Sequence, residues 1–146
     1  MNEAQLEKQR INRKKTGNAT TKKYEKTRNG FLMRTYRNMK SRVCGVTKNK
    51  NHLYLGLSLL EKNVFYEFSK SNLVFNQLYI EWVKSGYQRS LTPSVDRIDS
   101  SKGYDIDNIQ WLTFAENSIK GLKSRWLKVK QTLAHTDQYS QNQVDN

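Results

Sequence analysis

The sequence contains very little cysteine and proline, and it has no long hydrophobic run. Its single cysteine, Cys44, excludes an internal disulfide and any zinc cluster built on several cysteines. No run approaches the roughly 18 apolar residues that a membrane helix requires, so we expect no membrane span. The first residues are polar and lack the apolar segment of a secretory signal. We therefore expect a protein of the reducing cytoplasm in which Cys44 is a small buried apolar side chain.

Acidic residues are also scarce. The 146 residues include 26 Lys and Arg against 13 Asp and Glu, which gives a formal net charge of +13. Hydrophobic residues make up 36% of the chain, enough for a packed core, and the length predicts one domain. The basic excess predicts a polyanionic partner, with nucleic acid first and an anionic membrane surface as the alternative.

The charge is unevenly distributed along the chain. Residues 1–50 hold 15 Lys and Arg against three acids, whereas residues 93–118 hold two against five. Acidic residues oppose binding to a polyanion, so this one acidic window needs an explanation. A bound divalent cation would supply one, because it reverses the local charge and bridges to phosphate. An ordinary polar surface loop is the alternative.

Helical patterns dominate the first two thirds of the chain. Residues 1–29 are polar and basic and predict a mobile or loosely helical arm. Residues 30–92 then predict a helical region whose basic residues suit contact with nucleic acid. Its first helix follows Gly30, with an apolar stripe of Leu32, Tyr36, Met39 and Val43. Two further aromatic-rich helices follow, and the segment Leu53–Leu60 between them and the first helix predicts a short strand or buried coil.

The pattern changes at Pro93, the only proline. Residues 93–130 predict a strand, a loop, a second strand and a helix, in the order Ser94–Ile98, Asp99–Asn108, Ile109–Leu112 and Phe114 onward. Thr113 and Glu116 form a capping-box sequence at the start of this helix. Residues 131–146 are rich in Gln, Asn and Ser and predict a disordered tail.

This arrangement can bring Asp96, on the first strand, close to Asn117 in the first turns of the helix. A carboxylate and an amide oxygen are hard ligands, and they leave most positions of a Mg²⁺ ion open for water and phosphate. Arg97 adjoins Asp96 and suits a phosphate. An ordinary Asp–Arg ion pair explains the same residues equally simply.

The segment also resembles a known family. The motifs Asp96-Arg97-Ile98-Asp99, Lys102-Gly103-Tyr104, Asn108-Ile109-Gln110-Trp111 and Glu116-Asn117 resemble the core of HNH-type endonucleases, also called His-Me finger or ββα-metal nucleases. The resemblance is to the bacteriophage branch related to homing endonucleases, and it covers roughly residues 30–121. It implies an α+β fold, mainly helical, with a C-terminal ββα-metal motif.

The resemblance also implies the functional residues. Asp96 and Asn117 would be the ligands of one Mg²⁺ or Mn²⁺ ion, and Asn108 would brace the loop between the strands. Most of the family has a histidine as general base where this sequence has Arg97. An arginine side chain carries its proton at neutral pH and so cannot serve as the base there. The resemblance therefore makes Arg97 and Asn108 catalytic residues, with Arg97 stabilising phosphate charge, and it does not identify the base.

We therefore expect a metal-dependent endonuclease that hydrolyses duplex DNA, monomeric or weakly dimeric, in the cytoplasm of a bacterial host if it is phage-encoded. The basic residues expected to contact nucleic acid are Arg34, Arg37, Lys40, Arg42, Lys48, Lys50, Lys102, Lys120 and Lys123. A catalytically inactive HNH-derived binding protein is the principal alternative, and a small basic RNA-binding protein is another. A membrane partner is not expected.

Overall fold

The computed structural model describes the backbone of residues 1–142 and the side chains of residues 1–133. In that part of the chain the fold is α+β and mainly helical, as predicted, with one two-stranded antiparallel sheet. The helices are α1 (Glu3–Thr16), α2 (Ala19–Glu25), α3 (Arg28–Val43), α4 (Asn51–Tyr54), α5 (Lys62–Ser71), α6 (Leu73–Lys84) and α7 (Phe114–Asn142), and the strands are β1 (Pro93–Arg97) and β2 (Ile109–Thr113). None of the described helices is long and apolar enough to cross a membrane.

The chain divides into two compact units, and the division passes through both strands. The first unit comprises Met1–Asn72 and Arg97–Ile109. The second comprises Leu73–Asp96 and the chain from Gln110 onward. Asp96 and Arg97 are therefore neighbours in sequence but belong to different units.

Helix α3 supplies much of the core of the first unit. Leu32, Met39 and Val43 are buried, which confirms the apolar stripe. The prediction that Gly30 precedes the helix is wrong, because α3 begins at Arg28 and the Thr27 hydroxyl accepts a hydrogen bond from the Gly30 N–H. Position 30 lies inside the helix and requires glycine, because a Cβ there would overlap the backbone carbonyl of Tyr24 in α2.

Residues 1–29 form defined helices where the sequence predicted a mobile or loosely helical arm. A capping box between Asn2 and Gln5 starts α1, and Gly17 ends it in the left-handed conformation, with φ of 57°. Such a φ suits glycine because it has no Cβ. Helix α2 then packs against α3.

The segment from Leu53 to Leu60 also differs from its prediction as a strand or buried coil. It begins in the short helix α4, and only Leu59 forms a bridge, pairing in parallel with Tyr104. Leu53 and Leu55 are exposed because this single bridge leaves most of the segment outside any sheet. Cys44, predicted to be buried, is also exposed, since it follows the end of α3.

In the second unit, the strands and α6 form an aromatic core. Phe75 and Trp111 are buried with ring centroids 4.5 Å apart. Hydrogen bonds from Ile98 to Asn108 and from Phe114 to Thr92 set the strand register. In that register Asp96 lies directly opposite Gln110.

Helix α7 begins where the sequence predicted. The Glu116 carboxylate accepts hydrogen bonds from the Thr113 N–H and hydroxyl, at 2.8 and 2.9 Å, and the Thr113 hydroxyl accepts one from the Glu116 N–H. These bonds to the ionised carboxylate lower the pKa of Glu116. The helix continues to Asn142, where a disordered tail was predicted, because no proline or glycine follows Gly121 to stop it. Residues 143–146 lie outside the described residues.

Gly103 provides a test of the packing in the first unit. The Tyr104 N–H donates to the Ser58 carbonyl, and this close approach leaves no room for a Cβ at Gly103. We expect Gly103→Ala to lower the free energy of unfolding by about 3 kcal/mol in urea denaturation. The control is Gly121→Ala, which meets open space within α7 and should raise it by about 1 kcal/mol. Equal effects of the two substitutions would contradict the packing described.

Candidate functional site

Asp96 lies on the face of β1 that is directed at α7. Its Oδ2 accepts hydrogen bonds from Lys120 Nζ at 2.5 Å and from Gln110 Nε2 at 2.8 Å. The Asp96 side chain is 10% exposed, whereas that of Lys120 is 40% exposed. A nearly buried carboxylate needs a counter-charge and hydrogen bonds, and Lys120 and Gln110 provide both.

Asn117 contacts the same strand at a neighbouring position. Its Nδ2 donates to Ser94 Oγ at 2.8 Å, and Ser94 lies two residues before Asp96 on the same face of β1. Asn117 and Lys120 are three residues apart and so project from one face of α7. These five residues, Ser94, Asp96, Gln110, Asn117 and Lys120, are called the Asp96 cluster below. The structure brings both predicted metal ligands into this cluster, with Asn117 bonded to Ser94 rather than to Asp96.

The chemistry of this cluster suits a hard divalent cation. The described residues contain no group of three or more His, Cys, Asp and Glu side chains that could hold a metal. An ion would therefore depend on Asp96 and on neutral oxygens such as the Asn117 carbonyl. Magnesium accepts such a set because it retains several water ligands and binds proteins through one or two carboxylates. The hydrogen bonds from Gln110 and Lys120 both fall on Oδ2, so an ion would bind at the other carboxylate oxygen, Oδ1.

Arg97 points away from Asp96, because successive residues of a strand project from opposite faces. It is only 7% exposed. Its Nη1 donates to the carbonyls of Leu53 and Lys102, at 3.2 and 3.0 Å, and its guanidinium lies 4.2 Å from the centre of the Tyr54 ring. These contacts hold α4 and the loop after β1 in place, whereas the binding of phosphate by Arg97 stays a prediction.

Two tyrosines extend this arrangement. The rings of Tyr54 and Tyr104 stack with centroids 5.9 Å apart, and Arg42 donates to the Tyr104 hydroxyl at 3.1 Å. Burial raises the pKa of Tyr104 and outweighs the lowering effect of Arg42, so the phenol stays protonated near neutral pH. Arg42, Tyr54, Arg97 and Tyr104 are called the Arg97 cluster below.

Asn108 holds the loop between the strands. Its Oδ1 accepts from the Asp99 N–H at 2.9 Å, and its Nδ2 donates to the carbonyls of Asp99 and Gly103 at 3.0 and 2.8 Å. The side chain is buried, so these three bonds satisfy polar groups that water does not reach. This is the bracing position that the resemblance implied, whereas a catalytic function for Asn108 stays a prediction.

The residues expected to contact nucleic acid fall into three groups. Arg34 and Arg37 both pair with Glu25, and their side chains are 57% and 58% exposed. The side chains that remain on the surface of the described chain are Lys40, Lys48, Lys50, Lys102 and Lys123. Arg42 and Lys120 instead make internal contacts, with Tyr104 and Asp96 respectively.

Sequence reasoning missed Gln110, Ser94 and Tyr54. Strand alternation and register were sufficient to find the first two, because Gln110 lies opposite Asp96 and Ser94 lies two residues before it. Tyr54 carried no local signal, since it contacts Arg97 across 43 residues of sequence.

Comparisons with known proteins found no matching family model, no similar curated protein and no similar solved structure.

The buried position of Arg97 leads to a test of its function. We expect Arg97→Lys to lower the free energy of unfolding by about 2–3 kcal/mol, because an ammonium cannot stack as a plane on Tyr54 while it reaches both carbonyls. Arg13→Lys is the control, since Arg13 is exposed on α1 and should tolerate the change. Urea midpoints of the two variants measure the difference. An unchanged midpoint for Arg97→Lys would mean that the guanidinium does not hold these elements.

Proposed function

We propose that this protein is a divalent-metal-dependent endonuclease of the HNH type that hydrolyses phosphodiester bonds in duplex DNA. The observation that carries the proposal is the nearly buried Asp96, held between two strands and a helix that also presents Asn117 and Lys120. Burying a carboxylate is costly, and a protein with 26 basic residues gains no DNA affinity from one. A metal-dependent reaction on phosphate would explain why the protein contains this carboxylate.

Asp96 and Asn117 would hold the ion, which when bound supplies charge stabilisation to the phosphate and to the leaving oxygen. Gln110 fixes the Asp96 carboxylate through a hydrogen bond to Oδ2, so the ion would bind at Oδ1. Lys120 neutralises Asp96 in the free protein. The Lys120 side chain is 40% exposed, so its ammonium would be able to reach a DNA phosphate while Asp96 held an ion.

Arg97 would act as a positioning residue. Its contacts with Leu53, Lys102 and Tyr54 fix the loop that Asn108 also braces. Because arginine stays protonated, the group that accepts a proton from the attacking water is not Arg97. The exposed lysines on α3 and its following turn would contact backbone phosphates, which gives affinity that depends on salt and little on sequence.

A second candidate function is a nucleic-acid-binding protein that uses the same fold without catalysis. It is favoured by one observation, the neutralisation of Asp96 by Lys120 from within the chain. A carboxylate that already has a counter-charge does not need a metal ion to be stable. The two candidates differ in whether divalent ions cause DNA to be cut.

Cleavage of supercoiled plasmid in Mg²⁺ or Mn²⁺ tests the proposal. We expect the wild type to nick or linearise the DNA, and Asp96→Asn to reduce the rate at least about 100-fold, because a neutral amide weakens ion binding while keeping the shape of the side chain. The matched control is Asp107→Asn, which removes the same charge from an exposed position in the loop. Thermal unfolding of each variant verifies that it is folded.

Three outcomes contradict the endonuclease proposal. Equal rates for the wild type and Asp96→Asn would exclude Asp96 as a ligand. Equal losses of cleavage rate in Asp96→Asn and Asp107→Asn would mean that the effect comes from the change in net charge and not from the loss of a metal ligand. Salt-sensitive DNA binding with no cleavage in either ion would favour the non-catalytic candidate.

Lys120 gives a test that does not depend on activity. We expect Lys120→Gln to unfold more easily than the wild type in EDTA, by about 2 kcal/mol, because Asp96 loses its charged hydrogen-bond donor. Millimolar Mn²⁺ should then raise the melting temperature of this variant more than that of the wild type, since binding to the folded state stabilises it. Lys123→Gln, an exposed change on the same helix, is the control and should respond like the wild type. The same Mn²⁺ response in all three proteins would argue against a cation site at Asp96.

A further inference from the structure

The part of α7 that follows Asn117 carries a regular row of exposed apolar side chains. Ile119, Leu122, Trp126, Val129 and Leu133 recur at spacings of three, four, three and four residues. All five are between 52% and 62% exposed. A row of this length normally lies against another surface, because each of these side chains gains free energy from burial.

The spacing is that of positions a and d in a coiled-coil heptad repeat. With Ile119 at a, the row occupies a, d, a, d and a over two heptads. Only these positions are regularly apolar, although Leu127 is also exposed at position b. The row is therefore a narrow seam, called the apolar seam below. An interfacial membrane helix has a broader apolar face, so the narrow seam favours a helix as the occupant.

Three of the four e and g positions that flank the apolar seam are basic, and the fourth is Thr132. Lys123 and Lys130 occupy e positions and Arg125 occupies a g position. From Ile119 to Leu133 the chain has five Lys and Arg and no acid. In a parallel pairing, e faces g of the partner, and in an antiparallel pairing e faces e and g faces g. A second copy of this helix would therefore place like charges together in either orientation.

Duplex DNA is complementary in charge to the basic flanking residues, but it does not match the apolar seam. Phosphates and base edges are polar, so they would not cover Leu122, Val129 and Leu133. An acidic helix satisfies both features, because its apolar residues cover the seam and its carboxylates pair with the flanks.

We propose that residues 119–133 of α7 dock an amphipathic helix of a partner protein that carries Leu or Ile at its core positions and Glu or Asp at the positions beside them. Five seam residues of this chain interlock with the partner, and Lys123, Arg125 and Lys130 select it by charge. None of the five seam residues belongs to the Asp96 cluster, although Lys120 of that cluster lies between Ile119 and Leu122 at position b. The docking proposal does not require that this protein cut DNA.

Trp126 reports on occupation of the seam. It is 62% exposed, whereas Trp82 and Trp111 are 7% and 3% exposed, so a change in tryptophan emission on binding belongs chiefly to Trp126. The probe is a synthetic helix of three heptads with Leu at a and d and Glu at e and g, added to the full chain. The matched probe carries Lys at e and g. We expect the Glu probe to shift the emission to shorter wavelength and the Lys probe to leave it unchanged.

Charge reversal identifies the surface. We expect Lys123→Glu combined with Lys130→Glu to weaken binding of the Glu probe at least about tenfold and to gain binding of the Lys probe. Lys128→Glu makes the same type of change at position c, outside the seam, and should leave the preference for the Glu probe intact. Calorimetry measures the affinities, and they should fall with added salt.

Four results would overturn the proposal. Equal binding of both probes would show that the flanking charges do not select the partner. Binding of neither probe would show that the apolar seam is not a docking site for a helix. Sedimentation of the chain alone as a dimer that Trp126→Ala dissociates would assign the seam to a second copy. An emission shift with phosphatidylglycerol vesicles but not with the Glu probe would assign it to a membrane surface.

Discussion

The pairing of β1 with β2 is the constraint on which both side-chain clusters depend. Because residues alternate across a strand, Asp96 and Arg97 project in opposite directions although they are adjacent in sequence. Asp96 is directed at α7 and receives Lys120 and Gln110, whereas Arg97 is directed at α4 and the loop carbonyls. A shift of one residue in the register would exchange the two environments and leave both charges buried without partners.

Each of these charges is satisfied by a group of a different kind, and this determines what it can do. Asp96 is paired with a flexible, partly exposed lysine, so its partner can be exchanged for another cation at modest cost. Arg97 is held by two backbone carbonyls and an aromatic ring, which cannot leave without moving the chain. The Asp96 cluster is therefore suited to change during function, and the Arg97 cluster is suited to hold the loop still.

Local patterns predicted much of the fold and some of the candidate site. The α3 stripe, the strand–loop–strand–helix order and the Thr113–Glu116 capping box follow from spacing over a few residues, and the structure confirms them. Contacts distant in sequence were not predictable in this way. The Tyr24 carbonyl requires glycine at position 30, but it approaches that position only when the chain has folded. The Leu53 carbonyl likewise reaches Arg97 only in the folded chain.

The arginine at position 97 bears on which group takes the proton in the proposed endonuclease. A histidine at this position would lose the guanidinium contacts that fix α4 and the loop. Arg97 therefore contributes to the stability of the fold. The proton of the attacking water would then go to a group other than Arg97. In the proposed endonuclease the contribution of Asp96, Asn117 and Lys120 would be electrostatic, because they would place a carboxylate, an amide and a lysine at the phosphate. Such positioning of charge before the reaction is a major source of catalysis in enzymes.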